Sequence, residues 1–347
     1  MSVIPDHINK FYKEDPEEIL EKYLTDKFGQ RYLDYRNRYK EYLIDKEHEH
    51  FYDYPMTVVL ELVNRCNLEC IMCYQGWRND AKLVSLDDKM LDKMFDDFKE
   101  NQLSCLMISA SEPLLFKDLD KVLKRAEEAN IMDIFLFTNG ILLDEKKSLE
   151  ILNSQITRLF ISIDGATSDT YNKVRVPVSK RLKGVNRLDD LENNIKNFIK
   201  LREKQGKKLP VVRTSYVALN ENKNEIKEFV NKWENIVDSV EVQREVSIDS
   251  YYKIRDLTEE EAKPKLNKYN CQEPWGQMGI YSDGTVAPCC NIVGRNSPIG
   301  NISTSSVKEI WNSKEMNLVR EGFKNNSPNK TCRICIEESQ SEIYKDF

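Results

Sequence analysis

The feature that most restricts the fold of this chain is an alternation of strand-like and helix-like segments between residues 56 and 245. Six runs rich in apolar and β-branched residues are predicted to be strands: 58–63, 103–109, 131–138, 158–163, 211–217 and 240–243. Alternating strands and helices build a parallel sheet. A closed barrel of eight such units needs ~250 residues. The segment therefore predicts an α/β fold in the form of an open, partial (β/α)6 barrel of the TIM type.

Helical patterns fill the intervals between the predicted strands. Ser85, with Asp88 three positions later, has the form of a capping box and predicts a helix that begins at Ser85. Further helices are predicted over 116–130, 145–153, 188–205 and 222–233. In barrels of this type the working residues lie in the loops after the carboxyl ends of the strands, and we expect the functional residues there.

Residues 1–55 are predicted to form a helical N-terminal extension. Asp15, Pro16 and Glu17 have the pattern of a helix start, with an acceptor at the cap and a proline in the first turn. The apolar stripe that follows either packs against the main domain or forms a lid over the active site.

A second, small α+β module is predicted over residues 271–347, after a polar connector at 246–270. Its first part has the pattern of a hairpin with the turn at Asp283–Gly284. One helix is predicted over 306–323.

Composition narrows the possible functions. The 347 residues carry a net charge of −6 and are 40% hydrophobic, as is usual for soluble globular proteins. No apolar stretch approaches the ~18 residues of a membrane span, and no signal-peptide pattern begins the chain, so we expect a cytoplasmic protein without membrane contact. The three histidines all lie within the first 50 residues. A Ser-His-Asp triad or a histidine-based zinc hydrolase is therefore excluded from residues 51–347.

Three cysteines follow the first predicted strand in a C-x3-C-x2-C spacing: Cys66, Cys70 and Cys73. Nine cysteines in a protein expected inside the cell indicate metal ligation rather than disulfides. Iron–sulfur clusters are normally held by four thiolates. A cluster held by three has one iron free to bind another molecule, which makes such a site chemical rather than structural.

These motifs resemble those of the radical S-adenosylmethionine (SAM) enzymes over about residues 56–245. The cysteine spacing matches, although Met72 stands where an aromatic residue is usual, and Ala-Ser-Glu-Pro at 110–113 replaces the usual Gly-Gly-Glu-Pro. Phe-Thr-Asn-Gly at 137–140 and Ile-Ser-Ile-Asp-Gly at 161–165 end the third and fourth strands, as in many members. The resemblance implies that Glu112 holds the amino group of SAM and that Ser162 and Asp164 contact its ribose. The full set of implied SAM-binding residues is Met72, Ser111, Glu112, Asn139, Ser162, Asp164 and Arg175.

The resemblance also implies the chemistry. The free iron of the 4Fe–4S cluster would chelate SAM, and an electron from the cluster would cleave it to a 5′-deoxyadenosyl radical that takes a hydrogen atom from the substrate. The cofactor supplies the difficult step, while the protein supplies orientation and excludes water. A flavodoxin or ferredoxin is the expected electron donor.

The C-terminal module resembles the shortened SPASM, or twitch, domain. Cys271, Cys289, Cys332 and Cys335 would hold one auxiliary 4Fe–4S cluster, which makes two clusters in all. A four-cysteine zinc site is the alternative. Cys290 adjoins Cys289 and is the alternative fourth ligand.

Four further residues are candidates for catalysis. Strand alternation points Glu241 and Arg213 into the barrel, where Glu241 is the candidate base and the arginine forms either a structural ion pair or part of the substrate site. Cys105 is either a small buried residue or a hydrogen-atom donor, and Cys290 is a second candidate donor.

The substrate is predicted to be a small polar molecule, carbohydrate-like or phosphorylated. Residues 171–188 carry six lysines and arginines, which suits an anionic substrate, an acidic flavodoxin or simply a solvated surface. Nucleic acid is not expected, because no aromatic pattern is interleaved with the charges. The predicted reaction is that of an oxidoreductase, a dehydrogenation or epimerisation as in enzymes similar to 2-deoxy-scyllo-inosamine dehydrogenase. The alternative is a peptide- or protein-modifying maturase.

Overall fold

A computed structural model of the chain describes residues 7–11, 15–45, 47–74, 83–179, 181, 187–245 and 264–339. Within these residues, ten strands form one sheet in the order β1-β7-β6-β5-β4-β3-β2-β8-β9-β10. Their bounds are β1 His7–Phe11, β2 Thr57–Leu60, β3 Cys105–Ile108, β4 Asp133–Thr138, β5 Arg158–Ser162, β6 Val211–Ala218, β7 Ser239–Arg244, β8 Gln277–Ile280, β9 Thr285–Ala287 and β10 Gly300–Asn301.

The six central strands, β2 to β7, are all parallel, and each pairs with the next in the sequence. They correspond to the six predicted strands, so the predicted partial barrel is confirmed. The C-terminal module extends the same sheet, because β8 pairs in parallel with β2 and carries β9 and β10 as antiparallel neighbours. We call the carboxyl ends of β2 to β7 the mouth of the barrel and the opposite edge its amino end.

The helices that accompany the barrel strands are α3 Asp88–Glu100, α4 Leu119–Glu128, α5 Glu145–Leu152, α6 Ser168–Val174, α7 Leu188–Lys204 and α8 Ile226–Trp233. Their apolar faces and the strands form one hydrophobic core. The predicted start at Ser85 is wrong: α3 begins at Asp88, where the side chain of Asp87 accepts a hydrogen bond from the backbone of Met90. Ser85 instead forms a β-bridge with Val63, which holds its backbone extended.

The N-terminal extension contains α1 Pro16–Phe28 and α2 Gln30–Ile44. As predicted, Asp15 caps α1 by accepting from the backbone of Glu17. The extension is not wholly helical, however, because β1 pairs antiparallel with β7, the last strand of the barrel. Backbone pairing with a strand far along the chain is a tertiary effect that local helical patterns do not contain.

Helices α1 and α2 lie at the amino end of the barrel, so the lid alternative is wrong. Arg31 donates to the carbonyl of Asn130 at 2.7 Å, immediately before β4. Arg38 donates to Ser104 at 3.4 Å, immediately before β3. Glu17 on α1 forms an ion pair with Arg158, the first residue of β5.

The C-terminal module contains the short helices α9 Glu273–Gly276 and α10 Val307–Trp311, then α11 Lys314–Lys324 and α12 Lys330–Ser339. The predicted hairpin joins β8 to β9, with Gly284 in the turn at a φ of 80° that favours glycine. The single helix predicted over 306–323 is two helices, capped separately by Ser306 and Ser313. Most of the predicted connector, 246–263, lies outside the described residues. No helix among those described combines the length and the apolar character of a bilayer span.

Candidate functional site

The loop after β2 carries the first set of cysteines to the mouth of the barrel. The Sγ of Cys66 accepts a hydrogen bond from the backbone of Leu68 at 3.4 Å. The backbone N–H of Cys73 donates to the carbonyl of Cys70 at 3.0 Å. Burial raises the pKa of Cys66 to about 12, with smaller contributions from Glu112, Cys70 and Cys73. The three thiols thus lie within electrostatic reach of one another, and a metal cluster must displace their protons when it binds.

Glu112 is fully buried between the ends of β3 and β4. Its Oε1 accepts hydrogen bonds from the backbone of Leu114 at 3.0 Å and from the hydroxyl of Thr138 at 2.7 Å. Its Oε2 accepts from the backbone of Asn139 at 2.8 Å. Burial raises the pKa of Glu112, and these hydrogen bonds oppose that rise. Among the described contacts Oε2 accepts only one hydrogen bond, so it keeps a lone pair for an amino group such as that of SAM.

The loop that precedes Glu112 keeps a glycine-like backbone without its glycines. Ala110 and Ser111 have φ values of 65° and 52°, in the left-handed region that costs ordinary residues roughly 1–2 kcal/mol each. The substitution of Gly-Gly by Ala-Ser therefore leaves the shape of the loop in place and adds strain. Gly140, at the end of the β4 motif, has a φ of 72°, and a Cβ there would lie 2.6 Å from Leu191 Cδ1.

Asp164 and Arg175 form a buried ion pair at the end of β5. The Oδ2 of Asp164 accepts from Arg175 Nε at 2.7 Å, and its Oδ1 accepts from the backbone of Val217 at 2.7 Å. The guanidinium of Arg175 also reaches Cys70, whose pKa is raised by burial and lowered by this arginine. Asp164 thus holds Arg175 against the cysteine loop, a role that the sequence did not reveal. Its contact with the ribose of SAM stays a prediction.

The remaining predicted SAM-binding residues also lie at the mouth. Asn139 follows β4, donates to the side chain of Asn67 at 2.7 Å and lies 3.8 Å from Cys66 Sγ. Ser162 is the last residue of β5 and is partly exposed. Ser111 and Met72 are partly exposed in the loops after β3 and β2. Thr138, which the sequence reasoning missed, is marked by its place beside Asn139 at the end of the β4 motif.

Arg213 and Glu241 face each other inside the barrel, as strand alternation predicted. Their NH1 and Oε2 atoms are 2.5 Å apart, and Gln243 donates to the same oxygen at 2.9 Å. The guanidinium lies 3.5 Å from the centre of the Phe160 ring. Burial lowers the pKa of Arg213 to about 10, against the opposing effect of Glu241. The role of Glu241 as a base stays a prediction.

Cys105 is not placed to donate a hydrogen atom to a substrate at the mouth. It is the first residue of β3, paired in register with Thr57 and Asp133, which begin their own strands. It is 1% exposed and lies at the amino end of the barrel, whereas the Cys66 loop lies past the carboxyl end. Because the direction of β3 fixes this placement, Cys105 is a buried core residue.

The second set of cysteines gathers in the C-terminal module. Cys271 precedes α9, Cys289 follows β9, and Cys332 and Cys335 lie one turn apart on α12. The pKa of Cys289 is raised by burial and by Cys290, Cys332, Cys335 and Cys271, so its thiol faces the other three predicted ligands.

Small and polar neighbours shape this second site. A Cβ at Gly294 would lie 2.8 Å from Cys289 Sγ, so glycine leaves the room that the thiol needs. Asn291 donates to Cys335 Sγ at 3.6 Å. Cys290 Sγ lies 3.8 Å from Glu273 Oε2, on the side of that carboxylate. This arrangement favours Cys289 over Cys290 as the fourth ligand.

The donor sets, three and four thiols, are those of iron–sulfur clusters. Within the described residues, no three side chains of His, Cys, Asp or Glu are gathered closely enough to hold a single metal ion. Four thiols also suit one zinc ion, so the family comparison decides between zinc and a cluster at the second site.

Comparison with known families agrees with both sites. Residues 60–232 match the radical SAM superfamily, and residues 271–336 match SPASM, an iron–sulfur cluster-binding domain. The chain belongs to the radical SAM superfamily. The predicted cofactors of this radical SAM enzyme, SAM and two 4Fe–4S clusters, are confirmed by the two domains.

Individual relatives extend the comparison. A probable GTP 3′,8-cyclase of Methanococcus maripaludis is 34% identical over 119 residues, which are 34% of this chain and 39% of the cyclase. The chain spans between 38% and 52% of the length of the curated cyclases compared with it. The structure of Streptococcus suis SuiB bound to SAM has a TM-score of 0.55 at 16% identity, over 86% of this chain and 81% of SuiB. BtrN in complex with SAM and 2-DOIA has a TM-score of 0.50 at 15% identity, over 80% of this chain and 92% of BtrN. Both likenesses concern the fold alone.

Proposed function

We propose that this radical SAM enzyme acts on a small, polar, phosphorylated substrate, with a purine nucleotide as the first candidate. One observation carries the proposal: the Cys66 loop, Glu112 and the Asp164–Arg175 pair meet at the mouth, directly above a barrel interior that holds Arg213. The interior is polar and contains a buried cation, which suits an anionic substrate better than an apolar one.

The bound cofactors supply a 5′-deoxyadenosyl radical, which removes a hydrogen atom from the substrate. The chain contributes position and charge. Glu112 orients the amino group of SAM, while Arg175 adds positive charge beside Cys70. Arg213, stacked on Phe160 and paired with Glu241, offers a fixed guanidinium to a neutral acceptor such as a carbonyl oxygen of the substrate.

The cyclase relatives support the nucleotide as substrate, because their sequence similarity reaches 34% and their name states that they act on GTP. Three outcomes of hydrogen abstraction are open to this chain: ring closure as in those relatives, dehydrogenation and epimerisation. In a dehydrogenation the auxiliary cluster would accept the second electron, and in an epimerisation Cys290 would return a hydrogen atom. A flavodoxin or ferredoxin is the proposed electron donor.

A peptide-modifying reaction is the second candidate. Strand β7, the last of the parallel strands, pairs with β1 from the chain's own N-terminus as an antiparallel neighbour, and β1 forms the edge of the sheet. Extended peptides add to exposed sheet edges by the same backbone pairing, so a peptide substrate could occupy the place of β1. Against this candidate, α1 and α2 pack beneath the barrel rather than forming a separate peptide-binding domain.

The test is anaerobic turnover of the reconstituted enzyme with dithionite, SAM and a set of deuterated substrates. Release of 5′-deoxyadenosine that carries deuterium from GTP or a sugar phosphate would support the first candidate and identify the attacked carbon. Label transfer from a peptide alone would replace it with the second. No release of 5′-deoxyadenosine with any reductant would refute both.

A further inference from the structure

A second acid–base pair lies where the barrel meets the C-terminal module, and neither cluster accounts for it. Glu61 follows β2 and is 1% exposed. Arg295 lies in the 3-10 turn Ile292–Asn296, shortly after Cys289, and its side chain is 13% exposed. Glu61 Oε1 and Arg295 NH1 are 3.7 Å apart. This separation is too long for a hydrogen bond, although the charges attract.

The pair stands between the two cysteine loops. On one side, the hydroxyl of Tyr74, the residue after Cys73, lies 3.4 Å from Glu61 Oε2. On the other side, Arg295 lies 4.4 Å from the centre of the Tyr281 ring, and Tyr281 interacts electrostatically with Cys289. The pair therefore has contacts on the sides of both cysteine loops.

Neighbouring groups hold the two side chains in place but leave one donor over. Ser282 donates to Glu61 Oε1 from its hydroxyl at 2.6 Å, and Arg295 NH2 donates to Asp283 at 2.8 Å. Arg295 NH1 is buried and has no hydrogen-bond partner among the residues that the structure describes. An unsatisfied buried donor costs ~1–3 kcal/mol, so a ligand that satisfies it binds more tightly.

The charges decide which ligand group fits between NH1 and the carboxylate. A phosphate or carboxylate would meet the negative charge of Glu61, and an ammonium would meet the positive charge of Arg295. A neutral hydroxyl avoids both conflicts, because its oxygen accepts from the guanidinium while its hydrogen is donated to the carboxylate. Beside the pair, the partly buried ring of Tyr74 adds an amphipathic surface that suits the face of a sugar.

We infer that the Glu61–Arg295 pair binds a hydroxyl group of the substrate, the ribose of a nucleotide or another polyol, and holds it between the two clusters. The inference rests on the proposed function and makes its substrate class more specific: the phosphate lies elsewhere, and this pair recognises the sugar.

The test measures dissociation constants by anaerobic calorimetry on the SAM-loaded holoenzyme without reductant. The probes are GTP, 2′-deoxyGTP and 3′-deoxyGTP, together with ribose 5-phosphate and 2-deoxyribose 5-phosphate. Wild type is expected to bind at least one deoxy compound about tenfold or more weakly than its parent, because losing the hydroxyl leaves buried polar groups unpaired. In Glu61→Met and in Arg295→Met, the ratio of the dissociation constant of the deoxy compound to that of its parent is expected to fall below about threefold.

Glu150→Met is the matched control, because Glu150 is also an ion-paired glutamate, bonded to Lys147 at 2.8 Å with its side chain 14% exposed, but lies on α5 away from both clusters. It should keep the wild-type ratio. Iron content and melting temperature show whether each variant is folded. If Glu61→Met fails to fold, Arg295→Met gives the same test, since removal of either partner leaves the hydroxyl with one hydrogen bond.

The outcomes separate this inference from the proposed function. GTP that binds wild type as tightly as both deoxy analogues would overturn the inference, with a water molecule as the occupant, and leave the nucleotide proposal in place. A hydroxyl preference with ribose 5-phosphate but no binding of GTP would support the inference and refute the nucleotide as substrate. A ratio that persists in both methionine variants would also overturn the inference, and no binding of any probe would refute both.

Discussion

The two ends of the parallel strands differ in how their polar residues are satisfied. At the amino end, Asp133 accepts from Thr157 at 2.5 Å and from Arg158 Nε at 3.2 Å, and Glu17 completes the pairing of the same arginine. At the mouth, Ala110, Ser111 and Asp164 have left-handed backbones, and the hydrogen bonds described for the buried Glu112 come from neutral groups.

This contrast separates stability from chemistry. Barrels of this type carry function at the carboxyl ends of their strands and stability at the opposite edge. Backbone strain and buried charge persist where the surrounding structure imposes them, commonly at functional sites. Substitutions at the amino end should therefore change the free energy of unfolding, and substitutions at the mouth should change SAM chemistry.

The largest difference is expected between two cysteines. Cys66→Ala removes one of three ligands at the mouth, so we expect undetectable 5′-deoxyadenosine release and an iron content lowered by about half, since one of two clusters is lost. Cys105→Ala is the matched change at the amino end and should keep both iron and turnover. Loss of turnover in Cys105→Ala with full iron content would contradict the contrast between the amino end and the mouth, because it would give Cys105 a part in the chemistry.

Asp133→Asn should act on stability alone. Breaking a buried ion pair by removing one partner costs about 3 kcal/mol, because Arg158 would keep its charge at 7% exposure with fewer acceptors. Urea unfolding under anaerobic conditions measures the change. The rate of SAM cleavage per folded molecule should equal that of wild type, and a reduced rate would show that the amino end contributes to the chemistry.

Glu112→Gln tests the opposite end. The amide oxygen can still accept from Leu114 and Thr138, but the amide nitrogen cannot accept from Asn139, and the side chain lacks the charge that attracts an amino group. We expect SAM to bind about tenfold more weakly, which corresponds to about 1.4 kcal/mol, while the lost hydrogen bond lowers the unfolding free energy by about 1 kcal/mol. Calorimetric titration with SAM measures the affinity. An unchanged dissociation constant would remove Glu112 from the SAM site.

Ala110→Gly sharpens the comparison through the backbone. Glycine adopts a φ of 65° without the steric cost that alanine pays there, so the variant should be more stable by about 1 kcal/mol. Ala126→Gly, in the buried interior of α4, should be less stable by about 1 kcal/mol. The two unfolding free energies should therefore move in opposite directions, and parallel shifts would mean that the loop at 110 is not strained.

The smallest effect concerns pH. Although burial alone would raise the pKa of Glu225, hydrogen bonds from Thr170, Thr167 and Ala166 lower it below its ordinary value of 4.5. A carboxylate with a lowered pKa stabilises the fold above its unfolded-state pKa and loses this contribution as pH falls through its folded-state pKa. Wild type should therefore lose more stability than Glu225→Gln between pH 5 and pH 4, as anaerobic thermal melts would show. Equal losses would contradict the lowered pKa.

Local patterns were sufficient for much of the fold. The six strands, the cap at Asp15 and the turn at Gly284 depend on neighbouring residues, and all were predicted. The helix start predicted at Ser85 was wrong because the flanking residues Val84 and Leu86 form backbone hydrogen bonds with the segment around Val63. The strand β1 was missed for the same reason, because its pairing partners on β7 lie far along the chain. Packing of α1 and α2 on the main domain was predicted, but not the end of the barrel against which they pack.

The site shows the same division. Cysteine spacing and the Glu112 motif name the cofactors, because ligand type and order along a βα unit are sequence properties. The chain by itself therefore determined the family, the two clusters and the end of the barrel where they lie. Only the tertiary structure decided that Asp164 holds Arg175 and that Cys105 lies at the amino end of the barrel, away from the mouth. It also decided that Glu61 meets Arg295 across more than 230 residues of sequence. Side chains far apart in the chain are brought together by the packing of the whole sheet, and no local sequence pattern shows which of them will meet.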